Sequence, residues 1–196
     1  MTKLEVPGNS RKILLHACCA PCSGAIVECL VQNGIRPVIF YSNSNIHPRE
    51  EYDIRLNECI RYARECGLEI VEDTYDHGAW LDHILRQEQL LDTDLRHAPE
   101  RGPRCLECFK FRLLRAAEYA STHSFEVLTT TLASSRWKDL DQVNEAGEFA
   151  CSQFSGVTWW PQNWRKGGLQ ERRSQIIKER CFYNQLYCGC EFSHQD

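Results

Sequence analysis

The apolar run Ile13-Leu14-Leu15, followed within three residues by Cys18-Cys19-x-x-Cys22, constrains this chain more than any other feature. A short continuous apolar run reads as a strand buried on both faces. Ala17 to Ser23 then reads as a turn, Gly24 to Gln32 as a helix closed by Asn33-Gly34, and Val38 to Tyr41 as a second strand. The alternation continues. Pro48 leads into a helix over Glu50 to Cys66 that Gly67 stops, and Leu68 to Glu72 reads as a third strand. Helices are predicted over Gly78 to Gln89, Cys105 to Ser121, Asp139 to Phe149 and Gln170 to Tyr183, with strands over Phe125 to Thr131 and Val157 to Trp160 and a loop over Arg96 to Pro103. This pattern predicts an α/β fold: a mostly parallel, Rossmann-like sheet with helices on both faces, in a single domain over residues 1–196. Open sheets of this kind bind ligands beyond the carboxyl ends of their strands, so the first cysteines are expected in that crevice.

Seven of the 12 cysteines fall into three tight clusters: Cys18, Cys19 and Cys22; Cys105 and Cys108; Cys188 and Cys190. Thiols separated by so few residues can converge on one centre, and thiolates are the ligands of zinc and of iron-sulfur clusters. The helix N-terminus predicted at the first cluster favours negative charge, which predicts lowered thiol pKa values there. No GxGxxG or GxxxxGK[ST] loop occupies that turn, so nucleotide binding is poorly supported. Cys105 and Cys108, three apart at a helix start, share one face and can supply half of a four-sulfur site. A zinc ribbon needs a second C-x-x-C, and the vicinal pair Cys18-Cys19 does not provide one. Cys188-Gly189-Cys190 reads as a dithiol that closes and reopens, or as further ligands to the metal. Cys29, Cys59, Cys66, Cys151 and Cys181 stand alone in helical patterns and read as packed, inert thiols.

Residues 1–19 contain no apolar stretch of signal-peptide length, and no run is long enough to span a membrane, which predicts a cytoplasmic chain with reduced thiols and no membrane contact. The net charge of −4 argues against wholesale nucleic-acid affinity. The charges are nonetheless uneven. Acids dominate between Ile46 and Leu95, whereas Arg96, Arg101, Arg104, Lys110, Arg112 and Arg115 surround the second cysteine cluster. A further basic set from Arg136 to Arg180 precedes the third, which points to an anionic substrate.

Taken as a set, the motifs resemble the epoxyqueuosine reductases of the QueH type. The resemblance covers nearly the whole chain and rests on LLHACCAPCS (14–23), FYSNSNIHPREEYDIR (40–55), PERGPRCLECFKFRL (99–113), TTLASSRWK (130–138), WRKGG (164–168) and YNQLYCGCEFS (183–193). Asn184 stands where the family pattern has arginine. The resemblance implies a 4Fe-4S cluster held by Cys18, Cys19, Cys105 and Cys108, a redox-active disulfide between Cys188 and Cys190, and a separate mononuclear iron that Cys22 helps to ligate. It also implies the reaction: two-electron deoxygenation of epoxyqueuosine at the wobble position of a tRNA anticodon stem-loop to queuosine, the last step of its synthesis, with an external electron donor.

Other residues acquire roles on that reading. His16 is a hydrogen-bond partner of a cluster sulfur, a proton donor, or a satisfied core histidine. His47, Tyr52 and Arg55 are candidates for nucleoside contact, and Thr129 to Thr131, Ser134, Ser135 and Lys138 for phosphate. Trp159, Trp160 and Trp164, beside Arg165 and Lys166, are candidates for base stacking. An ATP-using thiolation enzyme would carry an SGGxDS-type loop where CCAPCS stands, and a zinc-stabilised RNA-binding module would need no redox centre. Protein purified without oxygen is therefore expected to be brown, with iron and acid-labile sulfide by chemical analysis; colourless protein with stoichiometric zinc would overturn the iron assignment.

Overall fold

The computed structural model describes residues 3–193. Its centre is β1 (Ile13–Ala17), every residue of which is buried. The strand is flanked by β2 (Val38–Tyr41) and β4 (Val127–Thr130), with β3 (Ile70–Glu72) and β5 (Thr158–Trp159) at the edges. The order is β3-β2-β1-β4-β5 and every pairing is parallel. A strand with neighbours on both sides and helices on both faces has no solvated surface, hence its unbroken apolar run. Among the described residues six α-helices complete the fold: α1 (Ala20–Gln32), α2 (Arg49–Glu65), α3 (His77–Leu90), α4 (Pro103–Thr122), α5 (Leu140–Ser152) and α6 (Leu169–Glu179). α1 packs against α2 and α6, whereas α4 packs against α5 and reaches β1 and β4. None of these helices is long and apolar enough to cross a membrane.

From β1 the chain builds outward through β2 and β3, then returns to lay β4 and β5 on the other side. The sheet therefore reverses direction between β1 and β4, and the crevice at such a switch point opens beyond the carboxyl ends of those two strands. Register fixes what stands there: His16 lies opposite Thr130, so Ala17-Cys18 and Thr131 leave the sheet side by side.

The expected α/β alternation is present throughout, with differences at the boundaries. β1 runs on to Ala17 because His16 and Ala17 pair with Phe40 and Tyr41. α1 begins at Ala20 rather than Gly24: Pro21 stands in its first turn with a fixed helical φ, and the Ser23 amide donates to the Cys19 carbonyl at 3.1 Å. Cys22 thus stands in the helix and not in a preceding turn. α6 ends at Glu179, short of the expected Tyr183, because Cys181 takes a left-handed φ of 50° and turns the chain back.

Gly147 of α5 packs on the Trp159 indole so closely that a Cβ would overlap the ring. Gly147→Ala is expected to destabilise the protein by about 2 kcal/mol through overpacking, read as a lower denaturant midpoint. An unchanged midpoint would mean that the edge strand yields freely.

Candidate metal centre and substrate cavity

A cavity of about 420 Å³ opens at the carboxyl ends of β1 and β4, lined by Cys18, Cys19, Cys22, Cys105, Cys108 and Cys188. Residues distant in sequence converge there through the fold. Cys18 and Cys19 form the turn leaving β1, and Cys22 stands in the first turn of α1. Cys105 and Cys108 come from the first turns of α4, whose start at Pro103 aims both at the crevice. Cys188 arrives on the C-terminal segment. The seventh expected residue, Cys190, does not line the cavity; it is buried beside Trp80, Ile84, Leu95 and Cys108.

The three sulfurs packed most tightly are those of Cys18, Cys19 and Cys22, all within 4.8 Å of one another, with Cys18 and Cys19 3.8 Å apart. These thiols share hydrogen bonds, and the pKa values part accordingly. Hydrogen bonds from Cys18 and Cys19 hold the Cys22 thiol well below its usual range, helped by the charges of Arg173 and Lys138. Its hydrogen bonds with Cys18 and then Cys22, together with burial, push Cys19 well above it. The expectation of lowered thiol pKa values thus fails at Cys19, because a thiolate at Cys22 in so small a space is stabilised by a proton kept on Cys19. Cys105 is pushed up to about 11, and Cys108 also upward, chiefly by burial. Buried thiols crowded on one cavity suit a thiolate-bound metal group, which relieves the cost of burying several anions together.

Side chains around the turn serve the sulfurs. The Thr131 hydroxyl accepts from the Cys18 amide at 3.1 Å and lies 3.3 Å from Cys18 Sγ. Ser134 donates to the Cys22 carbonyl, and Asn43 to that of Ala17. Gln185 Nε2 donates to Cys19 Sγ at 2.9 Å, a contact that nothing in the local sequence announces. Lys138 Nζ lies 3.8 Å from Cys188 Sγ. Burial works against its charge, but the sulfurs of Cys188, Cys18 and Cys22 outweigh that, so its pKa stands above the usual value. Arg112, nearly fully buried, donates to the Ser42 carbonyl and to Asn43 and also lines the cavity.

Arg55, Ser135 and Lys138 line the cavity as candidates for substrate contact, whereas other expected roles change. His16 is the satisfied core histidine: Nε2 donates to the Ser42 carbonyl at 3.0 Å, and Nδ1 meets the Thr130 hydroxyl at 2.7 Å. Burial and then Arg112 lower its pKa to about 3, so the ring is neutral. Tyr52 is fully buried with its hydroxyl on Glu72, and His47 uses its backbone to hold Gly189 and Tyr187. Arg55 pairs with Glu51 at 2.6 Å and donates to the carbonyls of Tyr187 and Cys188. Thr129, Thr130 and Thr131 spend their hydroxyls on the protein rather than facing a phosphate. Trp159, Trp160 and Trp164 are 8%, 3% and 1% exposed and offer no face to a base. Cys29, Cys59 and Cys151 are packed as expected, Cys66 is half-buried, and Cys181 is exposed, because α6 ends before reaching it.

The family model described as "Epoxyqueuosine reductase QueH" matches residues 13–196. Curated proteins of that name are similar over nearly the whole chain. That of Haemophilus influenzae is 44% identical over 194 residues, covering 99% of this chain and 76% of the relative. Those of Histophilus somni and Acinetobacter baylyi are 43% and 42% identical, each over 99% of this chain and over 76% and 85% of their own lengths.

In reduced, metal-free protein near neutral pH, iodoacetamide is expected to modify Cys22 ahead of Cys19, with Cys19 joining as the pH rises. Peptide mass spectrometry reads the order, and equal labelling at neutral pH would contradict the charge arrangement.

Proposed function

The chain belongs to the epoxyqueuosine reductase QueH family, and on that premise we propose that it reduces epoxyqueuosine in tRNA to queuosine at the cysteine-lined cavity. The observation that carries this reading is the convergence of six cysteines from three separate sequence clusters on one cavity at the switch point of the sheet. Cys18, Cys19, Cys105 and Cys108 are assigned as ligands of a 4Fe-4S cluster. Cys22, within 4.8 Å of the first two sulfurs, is assigned to an adjacent iron. When bound, the cluster supplies single electrons and the iron a Lewis acid for the epoxide oxygen.

Removing the epoxide oxygen as water consumes two electrons and two protons. Two thiols closing to a disulfide supply both, and Cys188 and Cys190, separated by one glycine, are assigned that role; an external electron donor then reopens the pair. Gly189 has a φ of 101°, a conformation that glycine adopts without strain, and a Cβ there would crowd Ile46 and Arg55. Arg55, holding the carbonyls of Tyr187 and Cys188, fixes this segment over the cavity. Lys138 keeps a positive charge 3.8 Å from Cys188 Sγ. With Arg55 balanced by Glu51, the cavity side chains Arg101, Arg112, Lys138 and Arg173 stand against Glu100 and Asp139 in its lining, a balance suited to an anionic RNA.

Cys188→Ser and Cys190→Ser are each expected to lower turnover of an epoxyqueuosine-bearing anticodon stem-loop by about a thousandfold or more with a chemical reductant, while iron and sulfide content stay at the wild-type level. Full activity in either variant would remove the dithiol from the reaction. In cells lacking the protein, mass spectrometry of tRNA nucleosides should find epoxyqueuosine in place of queuosine; unchanged queuosine would remove the function.

A further inference from the structure

We propose that Trp137 is a stacking platform for an unpaired nucleobase flanking the modified nucleoside, gripping the RNA loop at the mouth of the cavity. The assignment rests on the tRNA substrate proposed above and concerns the residue that positions the loop, not the group that meets the epoxide. Trp137 is 74% exposed and lines the cysteine cavity. Trp80, Trp159, Trp160 and Trp164 are all buried, so Trp137 is the one tryptophan that presents an open face. An indole left in water forgoes a large apolar burial.

Looseness of the chain does not account for that exposure, because the backbone beneath the indole is tied down from several sides. Arg101 Nε donates to the Trp137 carbonyl at 3.3 Å, and the same guanidinium donates to the Arg136 carbonyl. The Trp137 amide donates to Ser135 Oγ, and Arg165 donates to the Lys138 carbonyl at 2.7 Å. Gln142 Nε2 donates to the Arg101 carbonyl at 2.9 Å and so steadies the arginine itself. With the backbone held, only the two side-chain torsions of the indole remain to be ordered when a ligand covers it.

The surroundings select the ligand. Lys138, Arg101 and Arg173 line the same cavity and offer positive charge to a phosphate backbone. Leu186, 98% exposed, adds a second apolar side chain from the C-terminal segment. An exposed aromatic face beside cations is how unstacked bases of single-stranded RNA are held, and the stacking tolerates any base.

The test compares the holoenzyme with its Trp137→Ala and Trp137→Phe variants on an epoxyqueuosine-bearing anticodon stem-loop. Because the side chain is exposed, both variants should fold. Trp137→Ala is expected to raise KM for the stem-loop about tenfold or more with kcat within about threefold of wild type, and Trp137→Phe to recover most of the loss. Binding the stem-loop should quench tryptophan fluorescence in the wild type and much less in Trp137→Phe. If the wild type turns over the stem-loop and Trp137→Ala has the same KM, the stacking role is overturned. If the variant instead changes the KM of a protein reductant alone, Trp137 belongs to a protein-docking face and the proposal fails equally. If the wild type itself does not turn over the stem-loop, the function on which the proposal rests is what fails.

Discussion

The amide of Cys18 donates to the Thr131 hydroxyl across 3.1 Å, and that contact ties the end of β1 to the end of β4 where the sheet reverses direction. Both backbones leave the sheet there, and their polar groups must be satisfied away from water. The protein meets this with side chains: Thr131 for the Cys18 amide, Asn43 for the Ala17 carbonyl, Ser134 for the Cys22 carbonyl. With its backbone satisfied, the turn can be buried, and its three sulfurs are left facing the cavity. Without those hydroxyl and amide groups, a buried turn carrying three thiols would be a cluster of orphaned donors and acceptors.

Three buried arginines extend this logic to the other two cysteine clusters. Arg104 donates to the carbonyls of Leu95, Arg96 and Ala98 and so shapes the loop that delivers the start of α4 with Cys105 and Cys108. Arg112 binds Ser42 and Asn43 at the end of β2, joining α4 to the sheet. Arg55 does the same for the C-terminal segment, with Glu51 balancing its charge. A guanidinium is costly to bury, but here each fork is met by carbonyls, an amide or a carboxylate, so the charge is tolerated and loop geometry is fixed in exchange. His77 adds a further tie, with its ring between the Ser44 carbonyl and Glu191.

Local patterns carried the elements and the cysteine convergence; partners far apart in sequence were illegible. The run Ile13-Leu14-Leu15 reads as a buried strand because apolar continuity is a local property, and the clusters at 18–22 and 105–108 read as ligands because spacing is local too. Thr131 serves Cys18 across 113 residues, Arg55 serves Cys188 across 133, and Gln185 meets Cys19 across 166. Nothing near any of these residues encodes its partner. The tryptophans illustrate the same limit: Trp159, Trp160 and Trp164, next to Arg165 and Lys166, look like a nucleic-acid face, yet β5 and its neighbours bury them. Trp137 sits in an equally basic stretch and is the one left in the open, a difference that depends on which side of the fold each segment covers.

The third cluster joins two unlike thiols. Cys188 lines the cavity with the Lys138 ammonium 3.8 Å away, whereas Cys190 lies among Trp80, Ile84 and Leu95, and burial, followed by the charges of Cys108 and Cys188, pushes its pKa up. Thiolate is the reactive form in thiol chemistry, so within the proposed pair the two positions are not interchangeable. Cys188 is placed to meet substrate beside a cation, and Cys190, whose proton burial holds, to close on it from the protein side. Cys190 also touches the apolar cluster that holds Cys108, which is assigned to the metal. The C-x-C spacing therefore links cavity to interior through a single glycine, and the asymmetry of its two ends gives the pair a direction that equal exposure of both thiols would not.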